Sequence, residues 1–293
     1  MKENQNQHPA PSAGTCNSRH NPLRLLTATI LLLAATTTAA QNCDWHSVFT
    51  HGESIRYDLY FKWGLLMPKA GQAQFTVQQA AYHNSPAWEY KLLFKSQGML
   101  ETFYKMRDTI SDYFSSDNQL LFSSKQTDEG GFFLLDELTF NHDGNNPTVR
   151  SYRKARNGVR IDTTMRAAGC VFDMLGTVMY LRSIDWAELK NGRLYTFKVV
   201  VGRDIINVHF RYAGAEIIKL ADATRFNSHH FYVDVYDPAF TQSKEAAEVW
   251  VAADSNHIPI RVRAKLKVGS ADVHYRDADN LQFPLSSRIL QTK

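Results

Sequence analysis

The sequence predicts a mainly β protein, a large curved antiparallel sheet or half-open barrel wrapped around one or two short helices. Three observations lead there. Apolar and polar residues alternate with period two along most of the chain, turn-forming residues separate the alternating runs, and one helically spaced apolar segment stands among them. Composition agrees: of 293 residues 44% are hydrophobic, 12% aromatic and 21% charged, which suits a globular chain and excludes disordered, collagenous and cysteine-scaffold classes.

The first element is an address. Residues 1–24 are polar and loosely basic, residues 25–35 form an apolar run broken only by Thr27 and Thr29, and small residues follow up to Ala40. Thr38 and Ala40 satisfy the small-x-small rule for cleavage before Gln41. This predicts a signal peptide at 1–40 and a single mainly β domain at 41–293, exported to the periplasm, soluble or peripherally associated with the outer membrane. The apolar run falls short of the ~20 residues a spanning helix needs, and nothing later approaches that length, so no transmembrane span is expected after cleavage. Gln41 and Asn42 separate Cys43 from Ala40, which argues against lipidation. Cleavage removes Cys16 and leaves Cys43 and Cys170 in an oxidising compartment, either as a disulfide or as two buried thiols.

Residues 55–63 place apolar side chains at odd positions and mostly polar ones at even positions, the mark of a half-buried strand. Residues 72–78 do the same after a turn at Pro68 and Gly71, and the two predict a hairpin. Further strands are expected at 86–96, 107–115, 119–126, 132–142, 148–154, 193–201, 204–212, 229–236, 246–253, 258–268 and 271–276. The clearest is 258–268, where Ile258, Ile260, Val262, Ala264 and Leu266 form a core face and Arg261, Arg263, Lys265 and Lys267 a basic one. Val171, Met174, Leu175 and Val178 instead follow the i, i+3, i+4, i+7 spacing of a helix, with Asp173 in its first turn and Arg182 in its last. Because that helix is apolar on nearly every side, it is expected to plug the concave side of the sheet. Residues 185–188 look like a capping box opening a further short turn, and a second helical turn is possible at 100–105.

The chemistry sought in the sequence is largely missing. Beyond residue 40 the chain carries 30 basic against 28 acidic residues, too even for a nucleic-acid partner. No Gly-x-Ser-x-Gly elbow, phosphate-binding glycine loop, His-Glu-x-x-His or Cys-x-x-Cys occurs, so no catalytic residue, cofactor or metal is expected. His229 and His230 are adjacent in a strand and point to opposite faces. The acidic pairs Asp128 with Glu129, Asp136 with Glu137, and Asp277 with Asp279 read as solvated turns rather than glycosidase carboxylates. Aromatic residues are plentiful enough to line an apolar cavity, with Trp63, Leu65, Leu66, Met67 and Trp250 the candidate ligand-binding residues and the 64–68 loop its lip. Arg261, Arg263 and Lys265 are the candidate contact for anionic headgroups; the alternative is a solvated strand face that discourages edge pairing.

Several segments carry a resemblance. Residues 52–57 lead to Lys62-Trp63-Gly64-Leu65, and Ala70-Gly71-Gln72-Ala73, residues 173–182, and Val249-Trp250-Val251 to Asp254 with Ile258-Pro259-Ile260-Arg261 follow. Together they resemble the exported bacterial family known as domain of unknown function 3108. The strand ending in Trp-x-x-x-Asp followed by an Ile-Pro-x-Arg strand is also similar to the open-barrel periplasmic lipoprotein carriers. The resemblance implies an exported, mostly β, non-enzymatic protein; with the aromatic supply, the leading reading is a binding or carrier module of the cell envelope for an apolar or lipid-like ligand. The alternatives are an envelope structural or assembly factor that binds another protein, and an enzyme of unrecognised type. An outer-membrane barrel is disfavoured, because the helix lies mid-chain and the polar faces carry too much charge for lipid contact.

Overall fold

Alternation of apolar and polar side chains lets each strand bury one face, and sixteen strands in a computed structural model do so within one sheet. The structure describes residues 48–62, 64–103, 105–142, 147–184, 186, 189–236, 243–266 and 269–290. In chain order the elements are β1 (Ser54–Lys62), β2 (Lys69–Tyr82), β3 (Ser85–Ser96), α1 (Gly98–Phe103), β4 (Arg107–Ser115), β5 (Leu120–Glu129), β6 (Phe132–Asn141), β7 (Thr148–Ala155), β8 (Gly158–Arg166) and β9 (Val171–Phe172). They continue with α2 (Met174–Ser183), β10 (Leu194–Val201), β11 (Asp204–Lys219), β12 (Arg225–Tyr236), β13 (Ser243–Ala252), β14 (Pro259–Lys265), β15 (Ser270–Asp279) and β16 (Arg288–Ile289). Residues 1–40, the expected signal peptide, lie outside the described residues, and Gln41–Lys293 forms one compact unit.

The sheet runs β8 to β1 in reverse chain order, then from β15 back to β9. Its pairs are antiparallel except β9 with β10, and β16 adds to β12 off the main path. Among the described residues no ladder closes the sheet. Its two ends nevertheless touch, because Arg203 in the β10–β11 turn donates from Nη2 to the Arg160 carbonyl of β8 at 3.1 Å.

Two glycines show how tightly the strands approach. Gly71 lies inside β2 rather than in the expected turn, and a Cβ there would sit 2.5 Å from the Lys95 carbonyl of β3. Gly269 has φ +74°, and a Cβ there would collide with the Lys62 carbonyl.

The helix plugs the concave side, as its all-round apolarity predicts. Asp173 is its N-cap rather than part of its first turn, accepting from the Gly176 amide at 2.7 Å, and Val171 and Phe172 before it are strand β9. On one side α2 lies against β4 and β5: a Cβ on Gly176 would meet Phe114 and Leu120 at 3.4 Å, and Ser123 Oγ donates to Asp173 at 2.9 Å. On the other side Tyr180 packs edge-on against Phe197 of β10, with ring centres 5.4 Å apart. Arg182 does more than complement the helix dipole. It is 2% exposed, donates to both Glu53 oxygens at 2.6 and 3.1 Å, and reaches the Asn256 carbonyl at 3.2 Å. His257 Nδ1 in turn meets the Arg182 carbonyl at 2.8 Å. These contacts tie the helix to the segment entering β1 and to the β13–β14 turn.

A second buried polar contact sits at the other end of α2. The Asp112 carboxyl of β4 is fully buried, and neither oxygen accepts a hydrogen bond from a described residue. Burial, then the neighbouring Asp173 carboxylate, pushes its pKa well above the ordinary carboxylate range.

Three differences from the sequence expectation stand out. Strand β8 extends the sheet past 148–154, and its alternation of Val159, Ile161, Thr163 and Met165 is legible once seen. Strands β11 and β12 run longer than expected and stay paired across a register shift at Tyr212/Gly214. The short helix α1 begins two residues earlier than residue 100. Of the expected capping box at 185–188, all but Trp186 lies outside the described residues.

Two outcomes follow. Arg182→Ala and Glu53→Ala are each expected to destabilise by about 3–5 kcal/mol, because either leaves a buried charge without its partner; in a double-mutant cycle by chemical denaturation the double variant should cost clearly less than the sum. Asp112 ionises near pH ~4 in the unfolded chain and only at higher pH in the folded one, so its burial lowers stability as pH rises through that window. Asp112→Asn should therefore be more stable than wild type at neutral pH, with the difference closing towards pH ~4; parallel pH–stability curves would contradict this.

Candidate functional site

Register fixes which side chains share a face, and the inner face is the one that meets α2. Near the helix it is filled: Ile55, Val77, Tyr90, Phe114 and Ile260 have no exposed surface. Farther along the same strands, towards the end where β1 meets β2 and β14 meets β15, the inward residues are only half-buried. Leu59 and Phe61 on β1, Leu92 and Phe94 on β3, Ile110 on β4 and Val262 on β14 belong to this set. The core is therefore packed at the helix end, and an apolar concave wall remains open at the other. Against it, β6 and β7 contribute an ion pair, with Arg153 Nη2 at 3.1 Å from Asp136. Nearby, burial raises the Asp108 carboxyl above its ordinary range; the Asp128 amide opposes this and the adjacent Glu129 charge adds to it. One wall of the concavity is apolar and the other carries charge.

The sequence-predicted residues divide between this concavity and the outer face. Leu65, Leu66 and Met67 sit at the open end; Leu65 and Leu66 are 104% and 65% exposed. Trp63 lies outside the described residues. Trp250 is not with them. It faces away from α2, because its neighbours Val249 and Val251 point inward, and it is buried on the outer face. There its indole stacks on His230 at 4.6 Å, carries Arg261 and Arg263 at 5.2 and 5.6 Å, and donates to Glu216 at 2.5 Å.

The basic strand face is met by acids from its two neighbours. Arg261 is paired through both nitrogens with Asp272, Arg263 reaches Asp272 at 3.5 Å and Glu248 at 3.7 Å, and Lys265 lies 3.8 Å from Glu245. Burial alone would raise the Asp272 carboxyl, but hydrogen bonds from Arg261 and His274 outweigh it and hold the group well below the ordinary range. Cys170 is buried and disulfide-bonded, while Cys43 lies outside the described residues.

The adjacent histidines diverge as the strand period requires. His229 meets Tyr212 and Trp186 on the inner side, and His230 meets Trp250 on the outer. Among the described residues no three His, Cys, Asp or Glu side chains converge on a point that could hold a metal ion.

A cleft of about 380 Å³ also opens on the outer face across β15, β1, β2, β3 and β4, lined by Arg56, Gln72, Gln74, Lys95, Arg107 and Arg276. Its guanidinium groups already hold carboxylates: Arg56 pairs with Asp277 and Asp279, Arg276 with Asp277, and Arg107 with Glu101. The Arg107 and Ser96 hydrogen bonds lower Glu101 to about 2.

The pairs missed by sequence reasoning, Arg182 with Glu53 and Asp112 with Asp173, join residues 129 and 61 positions apart. Their one sequence signal is that Glu53, Asp173 and Arg182 all fall in the segments that carry the family resemblance.

A family model described as "Protein of unknown function (DUF3108)" matches residues 56–276. No protein with a curated description matches. Among solved structures, the chain resembles a β-barrel-like protein of the DUF1849 family from Brucella abortus at 8% identity and a TM-score of 0.55, over 80% of this chain and 99% of that one. A Bacteroides fragilis protein with a YmcC-like fold overlaps 81% of this chain and all of its own at 9% identity, with a TM-score of 0.30. The first likeness agrees with the curled sheet. No helix among the described residues is long and apolar enough to cross a membrane.

The outer-face network makes its own prediction. Asp272 is more acidic in the folded chain than in the unfolded one, so its stabilisation is present above pH ~4 and is lost as pH falls through the folded value. Asp272→Asn should lower the thermal midpoint at neutral pH, and the gap to wild type should narrow in acid.

Proposed function

Since this chain belongs to the DUF3108 family, whose function is not known, we propose that it is an exported carrier of an apolar or lipid-like ligand, held in the open end of its concave sheet and not chemically altered there. The observation that carries this reading is the gradient along the inner face. Side chains are fully buried beside α2 and half-buried beyond it, although they stay apolar on β1, β3, β4 and β14. A protein that buries apolar side chains for stability alone has little reason to leave a concave apolar wall accessible to water, since each uncovered Å² forgoes roughly 25 cal/mol. The Asp136 and Arg153 pair on the facing wall would meet the polar end of an amphiphile. Export is supported by the 1–40 segment and by the Cys170 disulfide, which suits an oxidising compartment.

Gentle purification followed by solvent extraction and lipid mass spectrometry tests the proposal. A stoichiometric amphiphile is expected from wild type. Val262→Trp, which fills the wall from β14, should keep the wild-type circular dichroism while losing most of that ligand and its competition with a fluorescent fatty acid. A clean extract from wild type together with no fatty-acid binding would refute the carrier reading.

A further inference from the structure

In an antiparallel meander, successive hairpins alternate between the two ends of the sheet, so register sorts the turns into two sets. Beside the β13–β14 turn lie the β2–β3, β4–β5 and β11–β12 turns, whose tips carry His83 and Asn84, Asp117 and Asn118, and Asp222. The opposite end, where the concavity opens, gathers the β1–β2, β5–β6, β7–β8, β10–β11 and β14–β15 turns. Each of these five turns presents an exposed apolar side chain at or beside its tip: Leu65 with Leu66, Phe132, Val159, Val201 and Leu266.

The same rim is basic on balance, its cations outnumbering the acids Asp128, Glu129 and Asp204 that also lie there. Lys62, Lys105, Lys154, Arg156, Arg160 and Arg203 all lie on it, and among the described residues none of them is ion-paired with a carboxylate. Among the described residues the three arginines hydrogen-bond neutral oxygens, those of Gly131, Asn157 and Arg160. Exposed apolar tips set among uncompensated cations form the pattern that inserts shallowly at a lipid surface and is drawn to negatively charged headgroups. A protein partner would need a shaped surface for five separate tips, whereas a bilayer accepts them wherever they reach one plane.

We propose that the open rim of the sheet, led by Leu65 and Leu66, docks on an anionic lipid bilayer, with the rim cations against its headgroups. This goes beyond the carrier reading and stands or falls separately, because the tips can dock whether or not the concavity holds a ligand.

The test is vesicle co-sedimentation of the exported protein, its first residue fixed by N-terminal sequencing. Vesicles of phosphatidylethanolamine with phosphatidylglycerol are compared with phosphatidylcholine alone. Wild type should sediment with the anionic vesicles and not the neutral ones, and should be released by salt. Leu65→Glu with Leu66→Glu should weaken association at least tenfold, and so should Arg156→Glu with Arg160→Glu. Ile217→Glu, an exposed site away from the rim, should change nothing; thermal melts confirm that each variant is folded. The proposal fails if wild type ignores anionic vesicles at low salt, if the Leu65 and Leu66 variant binds as wild type does, or if Ile217→Glu is equally damaging. A concentration-dependent dimer that the Leu65 and Leu66 variant abolishes, without vesicle binding, would assign the rim to a second copy of the chain and overturn it too.

Discussion

The arrangement depends on the buried pair of Arg182 and Glu53. A helix apolar on nearly every side must be enclosed, yet its last turn carries a guanidinium that cannot be left unpaired away from water. The sheet resolves this by bringing the β1 entrance and the β13–β14 turn to the same point, so that Glu53 takes the charge and the Asn256 carbonyl takes a remaining donor. Asn256 is itself held by Asp254 and by the Phe283 and Pro284 carbonyls, which anchors the C-terminal segment to the same spot. Four stretches distant in sequence thus meet at one ion pair, and the pair sets which end of the sheet is closed.

Closing one end defines the other. With α2 seated between β4, β5 and β10, the inner side chains beside it are completely covered, and those beyond its reach have only each other and solvent. The sheet curls until Arg203 touches β8, and the inward side chains at the rim end of β1, β3, β4 and β14 keep part of their surface exposed. The outer face shows the opposite economy. Trp250, Asp272 and His274 are buried there beneath long charged side chains, so that face is finished by internal pairing and leaves the inner face and the rim as the unsatisfied surfaces.

Much of this was legible in the sequence because a strand announces itself through period two and each face then follows. The alternation at 55–63 and 258–268 assigned Tyr57 and Ile260 to the core correctly, and the all-round apolarity of residues 171–179 placed the helix inside the curve. Pairing across strands was not legible. Arg261, Arg263 and Lys265 form a basic stripe on one strand, but Asp272 and Glu248 arrive from the neighbouring strands, and no local pattern gives their register. For the same reason Trp250 reads from the sequence as a companion of the 64–67 loop, because the strand period gives its face relative to Val249 but not which face is concave. The rim was equally hidden, since Leu65, Phe132, Val159, Val201 and Leu266 gather only once the strand directions are known.

The central claim is that one inner face is sealed at the helix end and open at the rim. Single cysteines at Val77 and Leu92, both inward and on adjacent strands, would test it through their rates of maleimide labelling in the native state. The account predicts rapid labelling of Leu92→Cys, slowed by an added amphiphile, and protection of Val77→Cys until the protein unfolds. Equal protection at the two positions would mean that the concavity is filled throughout, and would contradict it.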